Sequence, residues 1–128
     1  MPPFRKRFVY IIDDDDAVRE STAALLTSAG LNTRDYASGR AFLAEFDPKA
    51  GGCVLLDLHM PDISGFKMLD LLRALGNSAP IVLFSGRTDP MTDAFAKSSG
   101  AAAILAKPVA HDELIDLIRR LLSEGREE

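Results

Sequence analysis

Short apolar runs, each followed by polar or chain-turning residues, constrain the fold of this chain more than any other feature. Runs of this kind are typical of strands that a parallel sheet buries on both faces. Helical patterns lie between them, and such alternation over short loops predicts a parallel sheet with helices on both faces. The predicted strands cover residues 8–12, 32–36, 53–57, 81–84 and 102–106. We therefore expect an α/β fold, a doubly wound five-stranded parallel sheet in the common order 2-1-3-4-5.

Five helices are predicted between and after these strands. Their apolar residues recur at helical spacing, and residues that favour helix ends lie at their predicted starts. The predicted caps or first residues are Asp15 or Asp16, Ser38, Ser64 or Gly65, and Asp112. The fourth helix, from residue 90 or 91 to residue 99, carries mainly small residues, so we expect it to be the least firmly packed.

Composition excludes several classes of protein. The chain has 128 residues and is expected to form a single domain over residues 1–128, with its core at about 8–122 and frayed termini. A net charge of −4 does not favour direct nucleic-acid binding. No apolar run approaches the roughly 18 residues of a membrane span, and the N-terminus lacks the apolar region of a signal peptide. The single cysteine is compatible with a reducing cytoplasm, which is the expected location.

Polar residues follow four of the predicted strands at their carboxyl ends, where open α/β sheets bind ligands. They are Asp13 with Asp14, Asp57, Ser85 and Lys107. Carboxylates that share a crevice need a counter-charge, and Mg²⁺ is the cation that suits carboxylates and waters. A carboxylate can also act as a nucleophile toward a phosphoryl group, whose oxygens a cation and a hydroxyl would then stabilise. The set therefore predicts a phosphoryl-transfer site.

The sequence resembles the receiver domain of two-component response regulators over nearly its whole length. The matching motifs are IIDDD at 11–15, LDLHMPDISG at 56–65, VLFSG at 82–86, GA at 100–101 and KP at 107–108. The resemblance implies a flavodoxin-like (βα)5 fold, as in chemotaxis regulators. It also implies a signalling domain that catalyses only its own phosphoryl transfer and dephosphorylation, rather than an enzyme.

The resemblance further implies a role for each site residue. Asp57 would accept phosphate from a histidine kinase, while Asp14 and Asp57 bind Mg²⁺ directly and Asp13 binds it through water. The backbone carbonyl of His59 would be a further metal ligand. Ser85 would hydrogen-bond the phosphoryl group and Lys107 would pair with it; the Lys107–Pro108 bond is typically cis in this family.

The partners implied are a sensor histidine kinase or histidine phosphotransfer protein, a downstream protein or an output domain, and a phosphorylation-dependent homodimer. Neither nucleic acid nor membrane is an expected direct partner. The loop at residues 84–91 resembles receivers that precede helix-turn-helix output domains. The sequence leaves open whether this is a single-domain regulator or a receiver from a longer protein.

Two features of the sequence leave details open. The acidic pair could be Asp13 with Asp14 or Asp14 with Asp15, and we favour the first because the strand ends at Ile12. Ile104 stands three residues before the lysine, where most receivers have Tyr or Phe, so the usual inward swing of that aromatic ring is not expected.

The chain has residues of unsettled role and two alternative functions. His59 and Arg87 are either solvated loop residues or groups that control access of water to the acyl phosphate. One alternative function is an Mg²⁺-dependent phosphohydrolase with an Asp nucleophile, although haloacid-dehalogenase-type enzymes have a second Asp where His59 stands. The other is a docking receiver that acts without phosphorylation.

Overall fold

A computed structural model describes residues 7–86, 94–95 and 98–124. Its five strands form one parallel sheet in the order β2-β1-β3-β4-β5, which confirms the predicted fold class and order. The strands are β1 (Phe8–Ile12), β2 (Asn32–Tyr36), β3 (Cys53–Asp57), β4 (Ile81–Ser85) and β5 (Ala103–Ala106). The helices with described bounds are α1 (Asp16–Ser28), α2 (Gly39–Glu45), α3 (Gly65–Ala74) and, as α4 here, His111–Glu124.

The predicted strands agree closely with this sheet. The bounds of β1, β2 and β3 are those predicted, while β4 extends one residue further to Ser85 and β5 begins at Ala103 instead of Ala102. Both β3 and β4 are buried along their whole length, as expected for central strands of a parallel sheet. The edge strand β2 contains no buried residue, in keeping with its mixed polarity.

Side-chain caps define the starts of three helices. The side chains of Asp15, Ser38 and Ser64 accept hydrogen bonds from backbone N–H groups in the first turns of α1, α2 and α3. The predicted cap of the last helix is wrong. Helix α4 already includes His111, so Asp112 lies in its first turn, where an acidic side chain interacts favourably with the helix dipole. The helix predicted at residues 90–99 lies largely outside the described residues.

Two apolar clusters pack on opposite faces of the sheet. Alternate residues of each strand point to opposite faces, so Leu56 belongs to one cluster and Leu55 to the other. Helices α2 and α3 cover the first face with Phe42, Met68, Leu69 and Leu72. Helices α1 and α4 cover the second with Leu26, Leu114, Leu117, Ile118 and Leu121. Among the described helices, none is long and apolar enough to cross a membrane.

The turn before β3 depends on Gly52. Its φ of 93° lies in the left-handed region that favours glycine. A Cβ atom there would lie 2.2 Å from the carbonyl oxygen of Phe8, closer than atoms can approach. Glycine therefore allows β3 to begin directly beside the start of β1.

Candidate functional site

The register of the sheet brings the predicted site residues together. Ile12 of β1 pairs with Leu56 of β3, and Asp13 and Asp57 are the residues that follow them, so the two aspartates lie side by side. Ser85 pairs with Ala106, the residue before Lys107. The backbone ladder continues past the ends of the strands, since Leu58 N donates to the Phe84 carbonyl and Lys107 N to the Ser85 carbonyl, both at 2.8 Å. The backbone hydrogen bonds of the central sheet therefore hold the candidate site residues in place.

Three carboxylates form an acidic cluster at this edge. Asp13, Asp14 and Asp57 each offer an oxygen, and the three oxygens lie within 4.8 Å of one another. Asp13 is 2% exposed and Asp57 6%, whereas Asp14 is exposed. Carboxylate oxygens at this spacing are hard ligands that could hold a divalent cation, with waters completing its coordination. The chemistry of these donors fits the predicted Mg²⁺.

Lys107 supplies the counter-charge within the described site. Its Nζ lies 3.1 Å from Oδ2 of Asp13 and 3.5 Å from Oδ2 of Asp57. Burial alone would lower the pKa of Lys107, but the two carboxylates outweigh it and the pKa is raised. Lys107 therefore remains charged and bridges β5 to the carboxylates of β1 and β3.

The carboxyl of Asp57 has opposing influences on its ionisation. Burial raises its pKa, and the charges of Asp13 and Asp14 act in the same direction. The backbone N–H of His59, which donates to Oδ1 at 3.2 Å, and Lys107 lower it. The balance is a raised pKa, so the folded protein disfavours the ionised form of Asp57 more than the unfolded chain does.

Ser85 and His59 lie against each other at the same edge of the sheet. Ser85 is completely buried, and its Oγ is 3.4 Å from Nε2 of the exposed His59. The hydroxyl therefore lies within reach of a side chain from the loop after β3. The predicted role of the His59 carbonyl as a metal ligand stays a prediction, while Arg87 lies outside the described residues.

The four consecutive aspartates have different environments. The Asp15 side chain accepts from Val18 N at 3.1 Å and so caps α1, while its own N–H donates to Oδ1 of Asp13 at 2.9 Å. Asp15 is therefore occupied at the helix start, and Asp13 and Asp14 are the two that join Asp57 in the acidic cluster. This geometry favours the pair chosen from the sequence.

Arg19 is a site residue that sequence reasoning missed. Its Nη1 donates to the backbone carbonyl of Asp13 at 2.9 Å, and its Nη2 donates to Oδ1 of Asp16 at 2.7 Å. Nε also lies 3.8 Å from Oδ2 of Asp35 on β2. The side chain is only 14% exposed. Its position one turn after the acidic run was the available signal, because residues three or four apart face each other on a helix.

Gly65 positions the segment that follows Asp57. A Cβ atom on Gly65 would lie 2.7 Å from the Cα of Leu58 and 3.1 Å from the carbonyl oxygen of Asp57. The N–H of Gly65 donates to the Leu58 carbonyl at 2.8 Å. The start of α3 thus packs directly against the backbone beside the candidate nucleophile, and only glycine fits there.

Two further expectations concern β5 and its end. Ile104 is partly buried and packs against the cluster on the α2–α3 face of the sheet, so no aromatic ring occupies this position. The Lys107–Pro108 peptide bond is cis, as the resemblance implied.

Comparisons with known proteins agree with this geometry. The model of the response regulator receiver domain family matches residues 9–119. The transcriptional regulatory protein FixJ of Azorhizobium caulinodans is 39% identical over 120 residues, covering 94% of this chain and 57% of that protein. The response regulator protein TodT of Pseudomonas putida is 36% identical over 118 residues, covering 92% of this chain and 52% of that protein.

Solved structures show the same similarity. The structure of the response regulator StyR matches with a TM-score of 0.87 and 33% identity, covering 94% of this chain and 61% of that one. A chemotaxis-regulator-like receiver domain protein from Methanospirillum hungatei matches with a TM-score of 0.83 and 27% identity, covering 94% and 96%. The chain spans about half the length of the curated relatives named above.

Proposed function

The chain belongs to the response regulator receiver domain family, and from this premise we propose that Asp57 accepts a phosphoryl group in an Mg²⁺-dependent reaction. The donor is a phosphohistidine of a sensor histidine kinase or of a histidine phosphotransfer protein. As a receiver, the chain is a signalling domain of a two-component system. The proposal includes a single receiver domain over residues 1–128.

One observation carries the proposal. The carboxylates of Asp13, Asp14 and Asp57 share a space less than 5 Å across, and Lys107 contacts two of them. A purely structural ion pair would need one carboxylate for one lysine, whereas this site holds an excess of negative charge next to a buried hydroxyl. Excess negative charge is unfavourable for folding unless a cation binds there, so the arrangement favours a binding site over a stabilising contact.

In the proposed reaction, a carboxylate oxygen of Asp57 attacks the phosphorus in line with the bond to the donor imidazole nitrogen. The P–N bond breaks as the O–P bond forms, and the electron pair remains on the departing imidazole. Asp13, Asp14 and Asp57, with the carbonyl of His59, would hold Mg²⁺, which offsets charge on the phosphoryl oxygens. Lys107 would move from Asp57 Oδ2 to a phosphoryl oxygen and neutralise further charge there.

The proposed signal begins at Ser85. Its hydroxyl would leave His59 and donate a hydrogen bond to the new phosphoryl group, which draws the backbone after β4 toward the site. Because Ile104 offers no ring to rotate inward, we expect the response to depend mainly on displacement of the segment that follows Ser85.

We propose that the phosphodonor docks in a groove beside the site. A groove of about 370 Å³ runs between α1 and the start of α4, and Lys107 and Pro108 form part of its wall. Its other walls are largely apolar, with Val18, Leu25, Phe84, Val109 and Leu114 among them. Lys107 lines this groove and contacts Asp57, so a partner segment in the groove would lie near the proposed phosphoacceptor.

The remaining partners follow from the relatives. FixJ of Azorhizobium caulinodans is named as a transcriptional regulatory protein and is longer than this chain. We therefore propose that this receiver controls an output function, a helix-turn-helix domain or a separate downstream protein, in the cytoplasm. The receiver itself would not contact nucleic acid or membrane, and its phosphorylated form is proposed to pair with a second copy.

Intact-mass measurement after incubation with acetyl phosphate and Mg²⁺ tests the proposal. We expect one added phosphoryl group on the wild type, none without Mg²⁺ and none on Asp57→Asn. Asp70→Asn, which alters an exposed aspartate on α3, is the matched control and should be phosphorylated normally. Full phosphorylation of Asp57→Asn would refute the assignment.

The two alternative functions are not favoured by the family match. A phosphohydrolase of the haloacid-dehalogenase type would need a second Asp where this chain has His59. A docking receiver that acts without phosphorylation would not need the acidic cluster. Turnover of more than one equivalent of a phosphate ester would support the first alternative, and unchanged partner affinity on phosphorylation would support the second.

A further inference from the structure

Of the three carboxylates in the acidic cluster, that of Asp14 is not held in place by contacts of its own side chain. Asp13 accepts hydrogen bonds from Asp15 N and Lys107, and Asp57 contacts His59 N and Lys107. The Asp14 carboxylate is exposed, and within residues 7–86, 94–95 and 98–124 it makes no hydrogen bond or ion pair. Its position in the cluster therefore depends on the backbone that carries it.

That backbone is held by Arg19. The carbonyl to which Arg19 Nη1 donates belongs to the peptide group between Asp13 and Asp14. A peptide group is planar, so a hydrogen bond that fixes its carbonyl also fixes the orientation of the Asp14 N–H and the start of the Asp14 residue. The same guanidinium is anchored to Asp16 on α1 and lies near Asp35 on β2, so it connects two elements to this peptide.

From this geometry we infer that Arg19 is a positioning residue for the metal site: it holds the Asp13–Asp14 peptide so that the Asp14 carboxylate faces Asp57. The inference rests on the proposed metal site. Groups that orient metal ligands without touching the metal commonly contribute a factor of about 10 to 100 in metal affinity.

The direction in which metal affinity changes when Arg19 is removed distinguishes a positioning role from a purely electrostatic one. Arg19 brings a positive charge to within 2.9 Å of the Asp13 carbonyl. If Arg19 acted only through this charge, its removal would make the site more attractive to a cation and would tighten metal binding. If Arg19 positions Asp14, its removal weakens metal binding although the net charge becomes more favourable. The two roles predict opposite changes in one measured quantity.

The experiment is a titration of the unphosphorylated protein with Mn²⁺, with free Mn²⁺ measured by electron paramagnetic resonance and Mg²⁺ added as a competitor. We expect Arg19→Ala to raise the Kd by about tenfold. Arg19→Lys retains a donor and should restore part of the affinity.

Arg119→Ala is the matched control, because Arg119 Nη2 makes the same kind of contact, to the Ala29 carbonyl at 2.8 Å, at the far end of α1. It should leave the Kd unchanged. Equal or tighter Mn²⁺ binding by Arg19→Ala, or equal weakening in both alanine variants, would overturn the role of Arg19. A wild type that binds no Mn²⁺ would overturn the proposed metal site and this inference together. Circular dichroism melts establish that each variant is folded at the titration temperature.

Discussion

Replacing Asp57 by asparagine is expected to raise the free energy of unfolding of the metal-free protein, although it removes the proposed phosphoacceptor. The structural reasons are the burial of this carboxylate and the negative charges of Asp13 and Asp14 beside it. Asparagine has nearly the same shape and keeps an oxygen for the His59 N–H, but it carries no charge to repel Asp13 and Asp14. The substitution therefore tests the electrostatic cost of the site directly.

The size of the effect follows from the distances. Two unit charges 4.8 Å apart repel by about 3.5 kcal/mol at an effective dielectric constant of about 20. Lys107, at 3.5 Å, attracts Asp57 by about 4.7 kcal/mol, which offsets more than one of the two repulsions. Solvent weakens the contribution of the exposed Asp14. We expect a net gain of about 1 kcal/mol, or a rise of about 3–5 °C in Tm.

The pH dependence gives a second check on the same reasoning. The pKa of Asp57 is raised in the folded state above its ordinary value of 3.8. A raised pKa means that the folded protein holds this proton more tightly, so the stability that the group contributes is fully present below pH 3.8 and is lost as pH rises through the folded pKa. The advantage of Asp57→Asn should therefore grow from mildly acidic to neutral pH and then stay constant.

Thermal melts between pH 4.5 and 8, with and without millimolar Mg²⁺, measure this prediction, with Asp70→Asn as the control for loss of an exposed charge. Mg²⁺ at ten times its Kd should stabilise the wild type by about 1.4 kcal/mol and stabilise Asp57→Asn and Asp14→Asn less. A lower Tm for Asp57→Asn at neutral pH without metal would refute the reasoning. Equal stabilisation of the wild type and Asp14→Asn by Mg²⁺ would show that the metal binds elsewhere.

Three further predictions concern other residues. Lys107→Ala should lower the free energy of unfolding in urea by about 2 kcal/mol and slow phosphorylation, because two buried carboxylates lose their partner; unchanged stability would contradict the role of the ion pair. Ile104→Ala should alter affinity for a downstream partner less than Ser85→Ala does, and binding assays with the reverse ranking would identify Ile104 as the switch. Burial raises the pKa of Cys53 to about 12, so its thiol should not react with a disulfide reagent at pH 8 until the protein unfolds; rapid reaction of the native protein would disagree with this burial.

Much of the fold could be predicted because its signals are local. The apolar run from Cys53 to Leu56 and its abrupt end at Asp57 define β3 without knowledge of any contact. The start of α4 was predicted incorrectly because Asp112 is a good cap by residue type, but the hydrogen bond of Leu114 N to the Ala110 carbonyl begins the helix earlier. Residue preference alone does not distinguish a cap from a residue in the first turn.

The candidate site could be predicted in its residue types but not in its contacts. Strand ends that meet at one edge were sufficient to group Asp13, Asp57 and Lys107. The position of Arg19 one turn after the acidic run placed it near the site, but its contact with the Asp13 carbonyl could not be predicted, because side-chain torsions decide which oxygen an arginine reaches. The approach of His59 to Ser85 depends in the same way on the path of the loop after β3.

The close packing of Gly65 against Leu58 has a consequence for how this domain tolerates mutation. The first residue of α3 packs against the backbone of Asp57 and Leu58, and the space between Gly65 and Leu58 is too small for a methyl group. Even alanine at position 65 would displace the backbone beside the proposed nucleophile by about several tenths of an ångström, while leaving every chemical group of the site intact. Such a variant would keep all the side chains of the proposed site, but the backbone that positions them would be displaced. A mutation could therefore abolish the proposed phosphorylation without changing any residue that would contact the phosphoryl group.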